Sequence, residues 1–213
     1  GQLIPISAYA NGGSPLLNMN NLSIDAGGQI NADAAGYGGS YGPGRGADNG
    51  NYGSGGGGGY GGDGGVGWGG CAGGTTYGSS NAPADPGSCG GWSAYGYGGY
   101  GGGLVRVAAR GNVTVNGTIS ANGGAPSILM GAGSGGGIYV RCERFGGGGV
   151  LRANGGDGGG SGGGGRIAVW RIRDSFTGTV SVTNGMNGSY GIGSIGTIVW
   201  VQTPPRGTIF SVR

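Results

Sequence analysis

The chain has no histidine and no lysine, and its one glutamate is Glu143; all eleven cationic residues are arginine. Charged residues are 9% of the 213. These absences exclude most catalytic machinery. There is no imidazole base, no amine for a Schiff base and no histidine-rich metal cluster. The seven aspartates and Glu143 are spread singly, whereas glycosidic chemistry needs two acids held about 5–9 Å apart. The reading is therefore a non-enzyme without a cofactor. The net charge of +3 is small for this length and the arginines are scattered, so no electrostatic footprint for nucleic acid is expected. No apolar run approaches the roughly 18–20 residues of a membrane span; the longest candidates, residues 167–170 and 198–201, are strand-sized.

Cysteine is scarce too. Cys71 and Cys89 share one glycine-rich stretch, CAGGTTYGSSNAPADPGSC, and Cys142 sits in the apolar run IYVRC. The expectation is a Cys71–Cys89 disulfide, stabilising the fold by roughly 3 kcal/mol in the chain-entropy model, with Cys142 a buried thiol. Three reduced cysteines are the alternative. No fourth nitrogen or sulfur ligand suggests zinc. The chain opens at Gly1, not methionine, which is read as a processed, exported protein or a piece of a longer one.

What the sequence has is glycine, 66 residues of 213. Collagen is excluded, because the glycines keep no strict period of three and there are only eight prolines. A helical protein is excluded by glycine's cost of about 0.5–1 kcal/mol per residue against alanine. Residues 36–103 hold 32 glycines and eight of the eleven tyrosines. Smaller glycine blocks lie at 123–137 and 155–165.

Between the blocks, short alternating runs recur. One family begins after glycine, at Leu104-Val105-Arg106-Val107, Ile138-Tyr139-Val140-Arg141, Ile167-Ala168-Val169-Trp170 and Ile198-Val199-Trp200-Val201. A second precedes an Asn-Gly pair, as in Gly117–Gly124 (GTISANGG), Val150–Gly156 (VLRANGG) and Gly178–Gly185 (GTVSVTNG), with a weaker early copy at Gly28-Gln29-Ile30-Asn31. Period-two alternation of Val, Ile and Thr marks half-buried strands. A unit of about 30 residues cannot bury its apolar face alone, but stacked units can. The expected fold is all-β: a short β-solenoid or stacked β-sheets, with a Greek-key sandwich as the rival. The glycine blocks are expected to pack as polyglycine-II helices, with Tyr and Trp covering the outside. The organisation read is N-terminal strands over 1–35, a glycine/tyrosine insertion over 36–103, β-repeats over 104–196 and a C-terminal hairpin over 197–213.

The blocks GTISANGG, VLRANGG and SGGGGRIAVW resemble the glycine-rich repeats of large secreted bacterial surface proteins, over roughly residues 100–200. The glycine texture resembles the polyglycine-helix domains of phage tail-fibre adhesins and, by composition, the glycine-rich domain of the anaplastic-lymphoma-type receptor kinases. The resemblance implies an extracellular structural or adhesive role and no catalytic residues.

The first functional reading is a self-assembling subunit of an extracellular fibre or sheath, its partners copies of itself. Assembly by strand addition would use Leu3, Ile4 and Ile6 at one end and Ile198, Val199, Val201, Ile209 and Phe210 at the other. The second is an adhesin whose Tyr60, Trp68, Trp92 and Tyr97 stack on surface glycans. The third is an ice-binding protein, for which Thr114, Thr118, Thr177, Thr179 and Thr183 give a fragment of the needed array. The aspartates at Asp63 and Asp157 miss the nonapeptide calcium pattern. The four Asn-x-Ser/Thr sequons, at Asn21, Asn112, Asn116 and Asn187, are read as turn chemistry.

Overall fold

The computed structural model describes residues 1–50, 52–126, 129–186, 188–205 and 207. Among them there is no helix and there are fourteen strands, all pairing in parallel. Three sheets form a β-solenoid. The first is β1 (Gln2–Leu3), β4 (Gln29–Asn31), β7 (Thr118–Ser120), β10 (Val150–Arg152) and β13 (Thr179–Ser181). The second is β2 (Leu16–Met19), β5 (Leu104–Ala109), β8 (Gly137–Arg141), β11 (Arg166–Arg171) and β14 (Thr197–Gln202). The third is β3 (Leu22–Ile24), β6 (Asn112–Val115), β9 (Arg144–Gly147) and β12 (Arg173–Phe176). Successive second-sheet strands start 33, 29 and 31 residues apart, at Leu104, Gly137, Arg166 and Thr197. The repeat therefore decides against the sandwich.

Register makes ladders of like residues inside. Leu3, Ile30, Ile119, Leu151 and Val180 stack in the first sheet. Val105, Ile138, Ile167 and Ile198 stack in the second, beside Val107, Val140, Val169 and Trp200. Leu104 and Ile138 each open an apolar run, yet the register pairs Val105 with Ile138 and turns Leu104 to the outer face, because a one-residue slip inverts every side chain. The middle rungs are fully buried, each worth about 1.5–3 kcal/mol of apolar transfer.

Every turn leaves the solenoid at the same corner, after the first sheet and before the second. The excursions are residues 32–103, 121–136, 153–165 and 182–196, so the large glycine block is the first turn's version of a loop that each later turn repeats in miniature. A polar ladder marks the exit. Asp33 Oδ1 accepts from the Asn122 amide at 2.7 Å, Asn122 Oδ1 from the Asn154 amide at 2.9 Å, and Asn154 Oδ1 from the Thr183 amide at 2.9 Å. These residues, expected in Asn-Gly turns, instead form a stack that carries the chain out of the sheet in step.

Outside the solenoid the excursions pack into one bundle, and their hydrogen bonds have period three. In residues 131–136, Gly131 and Ser134 donate to Gly91 and Ser88; Ala132 and Gly135 donate to Gly160 and Gly163; Gly133 and Gly136 donate to Gly124 and Ala121, all at 2.7–3.0 Å. In residues 161–165, Ser161 and Gly164 face Gly191 and Ser194, while Gly162 and Gly165 face Gly156 and Ala153. A run that bonds to three neighbours in rotation has three residues per turn, the geometry of a polyglycine-II helix. Glycine serves space here, not backbone handedness. None of the glycines in 131–137 or 155–165 has a left-handed φ, yet a Cβ on Gly133 would lie 1.9 Å from the Tyr100 carbonyl oxygen. Serine and alanine enter where the side chain has a partner or a gap, as at Ser134, whose Oγ accepts from the Ser88 amide at 2.9 Å.

Candidate functional site

Tyr60 is 0% exposed, so the expectation that it stacks on a glycan is corrected: it plugs the junction of bundle and solenoid. Its ring packs on Tyr77 at 4.8 Å and under the Arg166 guanidinium at 5.4 Å. Arg166 donates from Nε to the Tyr77 carbonyl at 3.0 Å and from Nη1 to Thr197 Oγ1 at 3.1 Å. Burial pushes the Tyr60 and Tyr77 hydroxyls above the ordinary tyrosine range. With the Trp170 indole donating to the Asn81 carbonyl at 2.7 Å, this pins residues 75–86 over the outer face of the second sheet. The cluster is a closed structural joint.

The cysteines are free thiols, which corrects the expected Cys71–Cys89 disulfide. Cys71 Sγ donates to the Asp48 carbonyl at 3.4 Å and Cys89 Sγ to the Tyr41 carbonyl at 2.9 Å. The run around residues 44–49 lies between the runs that carry them: Ala47 donates to Ala72, whereas Gly46 and Asn49 donate to Cys89 and Trp92. Period-three bonding sends neighbouring amides of that run to different partners, and the two thiols are held apart across it. Cys142 is buried, and its thiol is pushed up to about 12 by burial, with Asp174 adding and Arg171 opposing.

Two surfaces remain. The first is the pair of solenoid ends. Among the described residues the first inner ladder runs from Leu3 to Val180 and the second from Leu17 to Trp200, beside Ile198; Leu3, Ile198 and Trp200 are exposed, while Leu17 and Val180 are half-buried. Ile4, Ile6 and Leu16 extend the first end; Ile192 and Ile195, on the last glycine run, extend the second. Val199 and Val201 are half-buried on β14, and Ile209 and Phe210 lie outside the described residues, as does the second arm of the expected hairpin. Gln2–Leu3 already pairs with β4, and residues 4–10 form no strand, so the N-terminal run is part of its own first sheet and not a free arm. The third sheet ends differently. Asp174, in register with Phe145, accepts from Arg171 Nε at 2.9 Å, and Arg173 stands beside it.

The second surface is the far tip of the glycine bundle, where the runs turn back. Tyr52, Trp68, Trp92, Tyr95, Tyr97 and Tyr190 are exposed there. Trp68 stacks on Tyr190 with centroids 5.8 Å apart and planes at 17°, and Tyr52 lies 6.0 Å from Tyr95. The turn at 67–71 uses Gly69 and Gly70 at φ +84° and +82°, a conformation costly for any residue with a Cβ. A cleft of about 640 Å³ opens between this turn and residues 48–50 and 52–53, lined by Asp48, Asn49, Tyr52, Trp68 and Cys71. Of the four candidates, Trp68 lines the cleft, the Trp92 amide lies beside Asp48, Tyr97 is exposed outside the lining, and Tyr60 is buried. Sequence reasoning missed Tyr52, Asp48 and Asn49. The available signal was position, since each stands where a glycine run reverses.

The three sequon asparagines within the described residues sit at or beside solenoid corners: Asn21 Oδ1 accepts from the amide of Asn112, which opens β6, at 2.8 Å, and Asn116 Oδ1 from the Gly148 amide at 3.2 Å. Asn187 lies outside the described residues. Among the described residues no group of three or more His, Cys, Asp or Glu is placed to hold a metal ion, and no helix is long and apolar enough to cross a membrane.

The class defined by the architecture is a β-solenoid bearing a lateral glycine bundle. Compared with known proteins, the chain matches no family model, no curated protein and no solved structure.

Proposed function

We propose that this chain is a non-enzymatic extracellular structural protein, a subunit that stacks end to end on copies of itself into a surface fibre or sheath. The observation that carries the reading is that, among the described residues, the inner ladders end on members that no further strand covers, Leu3 and Val180 in the first sheet and Leu17 and Trp200 in the second, of which Leu3 and Trp200 are exposed. All strands run in parallel, so the free edge of each sheet at one end is complementary in direction to the free edge at the other. Such a contact is heterologous and need not close. Docking would continue the first and second ladders, while Arg173 and Asp174 keep the third sheet's edge wet and limit sideways mispairing. The extracellular part of the reading rests on the resemblance of GTISANGG, VLRANGG and SGGGGRIAVW to secreted surface repeats.

The experiment is sedimentation and electron microscopy of the purified chain over a concentration series. Stacking predicts filaments with an axial repeat of about 20–24 Å, the rise of four or five strand layers. Leu3→Asp or Ile198→Asp at the two ends should each abolish them without unfolding the protein. A monomer at all concentrations, or filaments indifferent to both substitutions, removes the proposal.

A further inference from the structure

The geometry points to a carbohydrate-binding cleft at the bundle tip: Trp68 and Tyr52 form aromatic walls, Asp48 and Asn49 lie between them, and the ligand is a neutral polysaccharide chain. The rings are presented, not left over. Tyr52 is 73% and Trp68 52% exposed, and the Trp68 backbone is bonded at both its amide and its carbonyl. Asn49 Nδ2 donates to the Trp68 carbonyl at 2.7 Å, the Trp68 amide donates to Ser54 Oγ at 2.7 Å, and the Asn49 amide donates to the Trp92 carbonyl at 2.9 Å. The Trp68 wall, tied down in this way, loses little conformational freedom on binding. Tyr190, outside the cleft lining, backs the Trp68 ring in a near-parallel stack.

Charge selects the class of ligand. Among the described residues the cleft's one acidic side chain, Asp48, is paired with Arg45, and its Oδ1 accepts from the Trp92 amide at 3.2 Å. The walls offer flat apolar faces and the floor offers oxygen acceptors, with no net charge to attract a phosphate, sulfate or uronate. A pyranose chain matches this: its C–H faces lie on rings and its hydroxyls donate to carboxylate and carbonyl oxygens. The size fits a short oligosaccharide segment, at about 640 Å³. An unfolded peptide would instead ask for a free strand edge or a deep apolar groove, and the tip has neither among the described residues. The cleft stands at the bundle tip, apart from the residues of the solenoid ends, so binding and stacking succeed or fail independently.

Affinity electrophoresis through gels containing amylose, mixed-linkage β-glucan, mannan or galactan tests the site, with calorimetry on hexasaccharides of the retarding polymer. Retardation by at least one of the four is expected. Trp68→Ala and Tyr52→Ala should each weaken binding about tenfold or more, with melting temperature as the check on folding. Tyr9→Ala, an exposed ring on the N-terminal residues, should leave binding unchanged. Tyr52 touches little, so it keeps the test decisive if Trp68→Ala unfolds. Absence of retardation by all four, binding that survives both substitutions, or salt-sensitive preference for heparin over the neutral polymers overturns the assignment.

Discussion

Gly133 and Tyr100 approach so closely that no side chain can stand between them: a Cβ on Gly133 would meet the Tyr100 carbonyl oxygen at 1.9 Å. Gly133→Ala must therefore push two runs of the bundle apart. The expected cost is about 1–3 kcal/mol, the usual penalty of overpacking, read as a lowered denaturant midpoint. Gly50→Ala is the control, because nothing lies within 4 Å of its Cβ and its φ is ordinary. Equal stability of the two variants would show that the runs are not packed backbone to backbone. Amide exchange gives a second reading: Gly58, Gly133 and Gly163 should exchange as slowly as strand amides such as Val140.

The asparagine stack should be cooperative with the sheets. Asn122→Ala orphans the Asn154 amide, now bonded at 2.9 Å, and so is expected to cost about 1–3 kcal/mol. Asn112→Ala, exposed at the start of β6, should stay within about 0.5 kcal/mol. Chemical unfolding of both variants against the parent measures the difference, and similar midpoints would reduce the ladder to a passive turn.

All three thiols should titrate as free in the denatured, unreduced protein. In the native state Cys71, half-buried, reacts first, while Cys89 and Cys142 react only on unfolding, since burial raises both and the thiolate is the reactive form. Reductant should leave the melting temperature unchanged. A fall on reduction would restore the Cys71–Cys89 disulfide.

Alkali should unfold the protein earlier than its low charge suggests. Burial raises Tyr60 and Tyr77 above the ordinary 10.0, and Cys142 from 9.0 to about 12. The unfolded chain releases these protons at the ordinary values and the folded chain holds them, so stability is level below about pH 9 and falls above it. Denaturant midpoints at pH 7, 9 and 10.5, with tyrosinate absorbance followed in parallel, check the window. A midpoint constant through pH 11 would mean that these groups are not buried in solution.

The strands were legible because their alternation is local. Ile119, Leu151 and Val180 announce a buried ladder in any register, and their following Asn or Thr residues mark the corner. The alignment of Leu104 with Ile138 failed by one residue because the turns are 33, 29 and 31 residues long, and the slack lies in glycine that carries no pattern. Tyr60 failed for the same reason: a tyrosine between glycines reads alike whether it plugs a joint or crowns a tip.

Composition by itself determined that backbone, not side-chain chemistry, would organise this molecule: no histidine or lysine, little charge, and glycine at a density that forbids helices. Periodicity added parallel strands that must stack. Only the tertiary structure decided which glycine run lies against which, that Cys71 and Cys89 face different carbonyls, and that Tyr52, Trp68 and Asn49 meet at one tip. The reason is physical. A polyglycine run presents hydrogen-bonding groups in three directions with no side chain to distinguish them, so its neighbours are chosen by where the solenoid's turns deliver them and not by the run's own residues.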